Sequence, residues 1–173
     1  MGGSLGSGVL NDAAVELVGK YREDRRLAVR HICGERFRER MPVSVDGSDG
    51  ILYEVIGYED RMETVYAAAD LFVGRGGAST VCEVAAVGVP SVLVPWPGAT
   101  ADHQTDNVRW LSEQGGAVLL HEASDTPTRI IAEVERLRSD DAARQALARS
   151  AREAGSMHRS DALARLVESV ARG

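Results

Sequence analysis

The chain has 173 residues, 44% hydrophobic and 27% charged, which is the length of one domain with enough apolar content to bury a core. A net charge of −6 gives no electrostatic support to nucleic-acid binding. The two cysteines, Cys33 and Cys82, lack zinc-ligand spacing and sit in apolar runs, so they read as buried free thiols of a reducing compartment. No apolar run approaches the roughly 20 residues that a membrane-spanning helix needs. Residues 1–20, glycine-rich and then amphipathic, do not have the pattern of a signal peptide.

In chain order, the loop Gly2-Gly3-Ser4-Leu5-Gly6 comes first. Val9, Leu10, Ala13, Ala14, Leu17 and Val18 then recur on one face of a helix. Leu27 to Cys33 reads as a short strand, Glu35 to Gly50 as a charged, glycine-dotted loop, and Ile51 to Ile56 as a second strand. Met62 to Ala69 fits a short helix. Leu71 to Val73 is an apolar run entering a glycine-rich turn at Gly74, Gly76 and Gly77, and a helix starts near Ala78 to Thr80. Ser91 to Val94 is a further buried run, leading to Asp102-His103-Gln104 and to a helix from about Gln104 to Gln114 that Gly115-Gly116 ends. Ala117 to Leu120 is the last strand. From Thr126 the pattern is helical. Pro127 suits a first helical position, and Ile130, Ile131, Val134 and Leu137 form an apolar stripe. A second helix covers about 140–154 and a third about 159–171, with Leu163, Leu166, Val167 and Val170 facing inward.

Strands alternating with helices predict an α/β fold with a Rossmann-like, doubly wound parallel sheet. A glycine-rich phosphate loop normally follows a strand, and here only Met1 precedes Gly2. Either the chain is a fragment that lacks the first strand of its sheet, which is the favoured reading, or the fold begins unusually.

The segment from Asp70 to Asn107 is the most informative. Strand, glycine-rich turn, helix, strand and polar loop is how an α/β protein holds a nucleotide-linked diphosphate, because backbone N–H groups and a helix N-terminus both point at the anion.

Four motifs occur in order: Gly2-Gly3-Ser4-Leu5-Gly6, Gly57-Tyr58-Glu59-Asp60-Arg61-Met62, Arg75-Gly76-Gly77-Ala78-Ser79-Thr80-Val81-Cys82-Glu83 and Asp102-His103-Gln104-Thr105-Asp106-Asn107. Together they resemble the C-terminal half of the MurG family of glycosyltransferases (family 28, GT-B architecture), over almost the whole chain. Val92-Leu93-Val94-Pro95-Trp96-Pro97-Gly98 with Asp102-His103-Gln104 is similar to the actinobacterial variety. The resemblance implies a complete protein of two Rossmann-like domains facing a cleft. It implies that residues 1–173 are the single donor-binding domain, truncated at its N-terminus and closed by a C-terminal helix over 155–173. The N-terminal acceptor domain, with its membrane-binding patch and the catalytic base, would be absent. The implied activity is inverting transfer of N-acetylglucosamine from UDP-N-acetylglucosamine (UDP-GlcNAc) to lipid I, giving lipid II for peptidoglycan. The intact enzyme would be cytoplasmic, peripheral on the cytoplasmic face of the plasma membrane, with membrane and lipid I contacts made only through the absent domain. No metal is expected, since the Asp-x-Asp pattern of metal-dependent transferases does not occur; no cofactor is expected, and the net charge of −6 gives no support to nucleic acid as a partner.

The same resemblance assigns roles by position. Glu83 accepts hydrogen bonds from the ribose 2′- and 3′-hydroxyls, as acids of nucleotide-binding folds do on a vicinal diol. Ser4 and the backbone N–H groups from Gly3 to Gly6 contact the diphosphate. Arg75 stands near the diphosphate sugar, where a guanidinium pairs with phosphate oxygens; the alternative is a surface ion pair with a carboxylate such as Asp70 or Asp102. Gly77 and Ala78 open a helix whose positive end faces the leaving diphosphate, with the Ala78 N–H on a sugar hydroxyl. Ser79 and Thr80 also border the site, but their side chains read first as ordinary N-caps. Gln104 and His103 fill the two-residue sugar-reading position, often Gln-Gln in the family, with His103 a neutral hydrogen-bonding group and not a base. Asn107 ties the loop to its helix, and Asp102 either orients His103 or caps that helix. Tyr58, Glu59 and Met62 border uracil: backbone near Glu59 reads the base edge, while Tyr58 and Met62 either pack on its face or belong to the core. No catalytic residue is expected in this chain. His31, His121 and His158 have no partners at ligand spacing and read as structural or solvated.

Three other readings stay open. The chain could serve another GT-B UDP-sugar transferase acting on a glycolipid or natural product, or be the donor subunit of a split transferase, or be a non-catalytic UDP-sugar-binding module. A UDP-sugar epimerase is a more distant fourth.

Overall fold

The computed structural model describes residues 1–3 and 5–172. Ser4, one of the expected diphosphate ligands, lies outside the described residues, as does the side chain of Leu163. The first half of the chain runs α1 (Gly8–Lys20), β1 (Ala28–Ile32), a 3₁₀ turn (Glu35–Arg40), β2 (Val45–Asp46), β3 (Leu52–Ile56), α2 (Met62–Ala68), β4 (Phe72–Gly74) and α3 (Ala78–Val87). The second half runs β5 (Ser91–Leu93), a 3₁₀ turn (Thr100–Asp102), α4 (His103–Ser112), β6 (Val118–Leu119), α5 (Thr126–Ser139), α6 (Asp141–Ala154), a 3₁₀ turn (Gly155–Arg159) and α7 (Ala162–Ala171).

The strands pair as two three-stranded sheets, in the orders β1-β3-β2 and β4-β5-β6. In the second sheet every pair is parallel, with Gly74 opposite Leu93 and Val92 opposite Val118. In the first, β1 and β3 are parallel, with His31 opposite Val55. The expected loop from Glu35 to Gly50 is partly ordered: it holds the 3₁₀ turn and β2, which pairs antiparallel with β3. A tight connection forces that direction. Gly47 is left-handed at φ 82°, and Asp46 Oδ1 accepts the Ser48 N–H at 2.9 Å. Met1 lies along the free edge of β4, donating to Val73 O and accepting from the Arg75 N–H.

Helices cover both faces of the second sheet, the doubly wound arrangement. The alternation of β5 shows how. Leu93 is buried with Val81, Val84, Val108, Leu111 and Ala151, from α3, α4 and α6. Val92 and Val94 are buried with Leu10, Ala13, Ile130, Val134 and Leu137, from α1 and α5. A third cluster, Cys33, Tyr53 and Val55, carries the first sheet, with Val18 and Phe37 packed on it. A buried polar chain ties α1 to that sheet: His31 Nε2 meets Asn11 Oδ1 and His31 Nδ1 meets the Tyr53 hydroxyl, each at 2.9 Å, while Asn11 Nδ2 donates to Cys33 O.

The last helix departs from expectation. The helical pattern predicts Leu166, Val167 and Val170 facing inward, but they are 60%, 60% and 74% exposed. Helical periodicity selects which residues share a face; it does not supply an element to cover that face.

Candidate ligand-binding site

In parallel α/β sheets, ligands bind beyond the carboxyl ends of the strands. Three loops meet there. The first, Gly2 to Gly6, needs glycine at two points: Gly3 and Gly6 are left-handed at φ 72° and 70°, and a Cβ on Gly6 would collide with Cys33 O. It ends at Ser7, the N-cap of α1, whose hydroxyl accepts the Leu10 N–H.

The second loop, Arg75 to Gly77, follows β4. Gly77 is the N-cap of α3 and supplies no side-chain cap, and the first helical hydrogen bond is Val81 N–H to Gly77 O at 3.0 Å. Ser79 and Thr80, expected as caps, instead lie inside the first turn. The amides of Ala78, Ser79 and Thr80 therefore have no cap among the described residues, and an uncapped N-terminus attracts anions. Glu83 is on the next turn and exposed. Tyr66, buried beneath α3, has a hydroxyl without a hydrogen-bond partner among the described residues. Burial and the nearby Glu83 charge push its ionisation up.

The third loop joins β5 to α4. Ala101 and Asp102 are both left-handed without being glycine, at φ 50° and 55°, a strained pair just before the helix. His103 Nδ1 lies 2.7 Å from Thr100 O, and Asp102 accepts the Thr105 hydroxyl at 2.7 Å. Asp102 is the N-cap residue of α4, but its side chain makes no cap bond to a backbone N–H, and His103 is held by Thr100 O and not by Asp102. Gln104 Oε1 accepts the Trp96 N–H at 3.0 Å. Asn107 Nδ2 reaches Gly76 O at 3.2 Å, tying α4 to the second loop.

Arg75 joins all three regions. One terminal nitrogen donates to Val94 O, Pro95 O and Glu122, and the other to Ser7 Oγ at 2.8 Å. Its side chain is only 11% exposed. The carboxylate it meets is Glu122, not Asp70 or Asp102. The sequence pattern does not single out Ser7 or Glu122, and it marks Trp96 only as part of the run over residues 92–98. A half-buried arginine demands an acid, and Glu122, just after β6, was the unused signal.

The uracil-side residues separate. Met62 packs against the core cluster that holds Tyr66 and Phe72. Tyr58 is 57% exposed at the end of β3. Glu59 is bound by Arg30 and by the Arg61 N–H, and the latter bond holds its carboxyl below the usual carboxylate range. His121 is exposed, His158 stacks edge-on with Trp110, and Cys33 and Cys82 are free thiols, the second half-buried. Among the described residues no cluster of metal-ligand type occurs and no helix is long and apolar enough to cross a membrane.

Residues 1–166 match the glycosyltransferase family 28 C-terminal domain, and the chain belongs to that family. It is similar to two proteins called UDP-N-acetylglucosamine–N-acetylmuramyl-(pentapeptide) pyrophosphoryl-undecaprenol N-acetylglucosamine transferase. With that of Aromatoleum aromaticum it is 36% identical over 100% of this chain and 48% of the relative. With that of Nitratidesulfovibrio vulgaris strain DP4 it is 40% identical over 98% and 46%. The crystal structure of Acinetobacter baumannii MurG superposes with a TM-score of 0.78 at 28% identity, covering 100% of this chain and 48% of that one. The fold is thus that of the C-terminal half of a GT-B enzyme, and the chain spans about half the length of the relatives it matches.

Proposed function

We propose that this chain is the donor-binding half of an N-acetylglucosaminyltransferase that acts on lipid I, and that it binds UDP-GlcNAc at the edge where its three loops meet. The observation that carries the reading is the uncapped N-terminus of α3, whose preceding loop is tied to α4 by Asn107 and to Ser7, at the end of the glycine loop, by Arg75. Those amides, with Gly3 to Gly6 and Ser4, receive the diphosphate and stabilise the charge that grows on it as UDP leaves. Glu83 holds the ribose. The Ala78 N–H and Gln104 read the sugar; because Trp96 engages the Gln104 carbonyl oxygen, its amide N–H groups are the ones left for sugar hydroxyls. His103, turned toward Thr100, shapes that loop. Tyr58 is available to stack on uracil, with the backbone near Glu59 at the base edge. Arg75, paired with Glu122, fixes the loops relative to one another.

The acceptor, the base that deprotonates its hydroxyl and the contact with the cytoplasmic face of the membrane belong to the other half of the relatives' length. Calorimetry of the chain with UDP-GlcNAc, UDP and GDP tests the reading. Binding of both uridine nucleotides with discrimination against GDP is expected, and no binding of either would overturn it. Release of UDP on addition of a lipid I analogue is expected only when an acceptor half is supplied.

A further inference from the structure

Arg75 has both terminal nitrogens taken by protein acceptors, so it offers the Gly2–Gly6 loop no unoccupied end. A different arginine stands against that loop. Arg36, in the 3₁₀ turn after β1, is exposed and has no carboxylate within ion-pair distance among the described residues. Its only hydrogen bond there is a long one, from Nη2 to Gly6 O at 3.5 Å.

The arginine is supported from below. Its guanidinium carbon lies 4.6 Å from the centroid of the Phe37 ring. Phe37 packs on the third core cluster and fills the space beneath Gly6, where a Cβ would come within 2.8 Å of a ring carbon. Left-handed Gly6 and Gly34, at φ 70° and 91°, let the two loops touch. The neighbouring Glu35 turns the other way, with its carboxylate against Gly57 at the end of β3. Arg36 thus stands against the loop that the donor-site reading gives to the phosphates, while Glu35 faces Gly57 at the head of the segment carrying Tyr58 and Glu59.

We infer that Arg36 is a direct ligand of the nucleotide diphosphate, a role that rests on the donor-site reading above. On binding, its guanidinium exchanges the Gly6 carbonyl for phosphate oxygens, trading a long neutral-acceptor bond for charge-assisted ones. Backbone amides and helix ends carry only partial charges, and a chain of net charge −6 repels a nucleotide anion at long range. A full cation at the loop offsets both. The planar head is preorganised on Phe37, so little of its freedom is lost when the ligand arrives.

The test is calorimetry of the whole chain with UDP and with uridine at two salt concentrations, for the parent, Arg36→Ala and Arg36→Lys. Arg36→Ala should lose about tenfold in UDP affinity, leave uridine affinity unchanged and show a shallower salt dependence, with Arg36→Lys recovering part of the loss. Undiminished UDP affinity in Arg36→Ala would overturn the inference while leaving the donor site standing. So would equal losses for UDP and uridine, which would make Arg36 a prop for the loop. A parent that binds neither compound would overturn the donor-site reading and this inference with it.

Discussion

Arg75 and Glu122 form an ion pair that joins the loop after β4 to the loop after β6, across the carboxyl end of β5. The same guanidinium holds Ser7 at the head of α1. Removing the arginine leaves Glu122 and two strand-end carbonyls without a donor. Arg75→Ala should cost about 3 kcal/mol of stability and Glu122→Gln about 1–2 kcal/mol, since both groups are mostly buried. Urea unfolding measures both, and an Arg75→Ala value within about 0.5 kcal/mol of the parent would show that the clamp is idle.

Glu83 supplies the second prediction. If its carboxylate grips the ribose, the parent should bind UDP better than 2′-deoxy-UDP by about tenfold, the value of one charged hydrogen bond. Glu83→Ala should weaken UDP to that level and abolish the discrimination. Retained discrimination in the variant would move the ribose contact elsewhere.

Glycine geometry supplies the third. Gly6→Ala should lose about 2 kcal/mol or more, because a left-handed alanine there also meets Cys33 O. Gly8→Ala, two residues on in open space at the start of α1, should be neutral or gain up to about 1 kcal/mol. Thermal melts of the two variants should move in different directions or by clearly different amounts.

Acid sensitivity supplies the fourth. Burial is the main cause that pushes His31 from 6.5 down to about 4. Below pH 6.5 the unfolded chain takes up a proton that the folded chain refuses. The contribution of His31 is therefore fully present above about 6.5 and is lost as pH drops toward 4, by up to about 3 kcal/mol. The carboxyls of Asp24, Glu59 and Glu135 sit below their ordinary values through their partners, so they act lower, beneath about pH 4.5. His31→Asn should flatten the profile between pH 6.5 and 4.5, and an unchanged slope there would clear His31 of the effect.

What could be read in advance followed the strength of the local pattern. β5 and α3 were visible because an unbroken apolar run and paired glycines are strong local signals, and the two faces of the sheet follow from the alternation of Val92, Leu93 and Val94. β2 was invisible: two exposed residues carry no pattern, and a hairpin defines it only once it has folded. The Arg75–Glu122 pair spans 47 residues, so no local window contains it. The left-handed Ala101 and Asp102 were equally hidden, since neither residue type announces that conformation and only the surrounding packing imposes it.

The bare stripe of Leu166, Val167 and Val170 also governs how the material behaves in a tube. Mutual repulsion between chains of charge −6 keeps such greasy surfaces apart at low ionic strength. Added electrolyte shortens that repulsion to a few ångströms and leaves the stickiness intact, so concentrated, salty preparations should cluster where dilute, salt-poor ones stay dispersed.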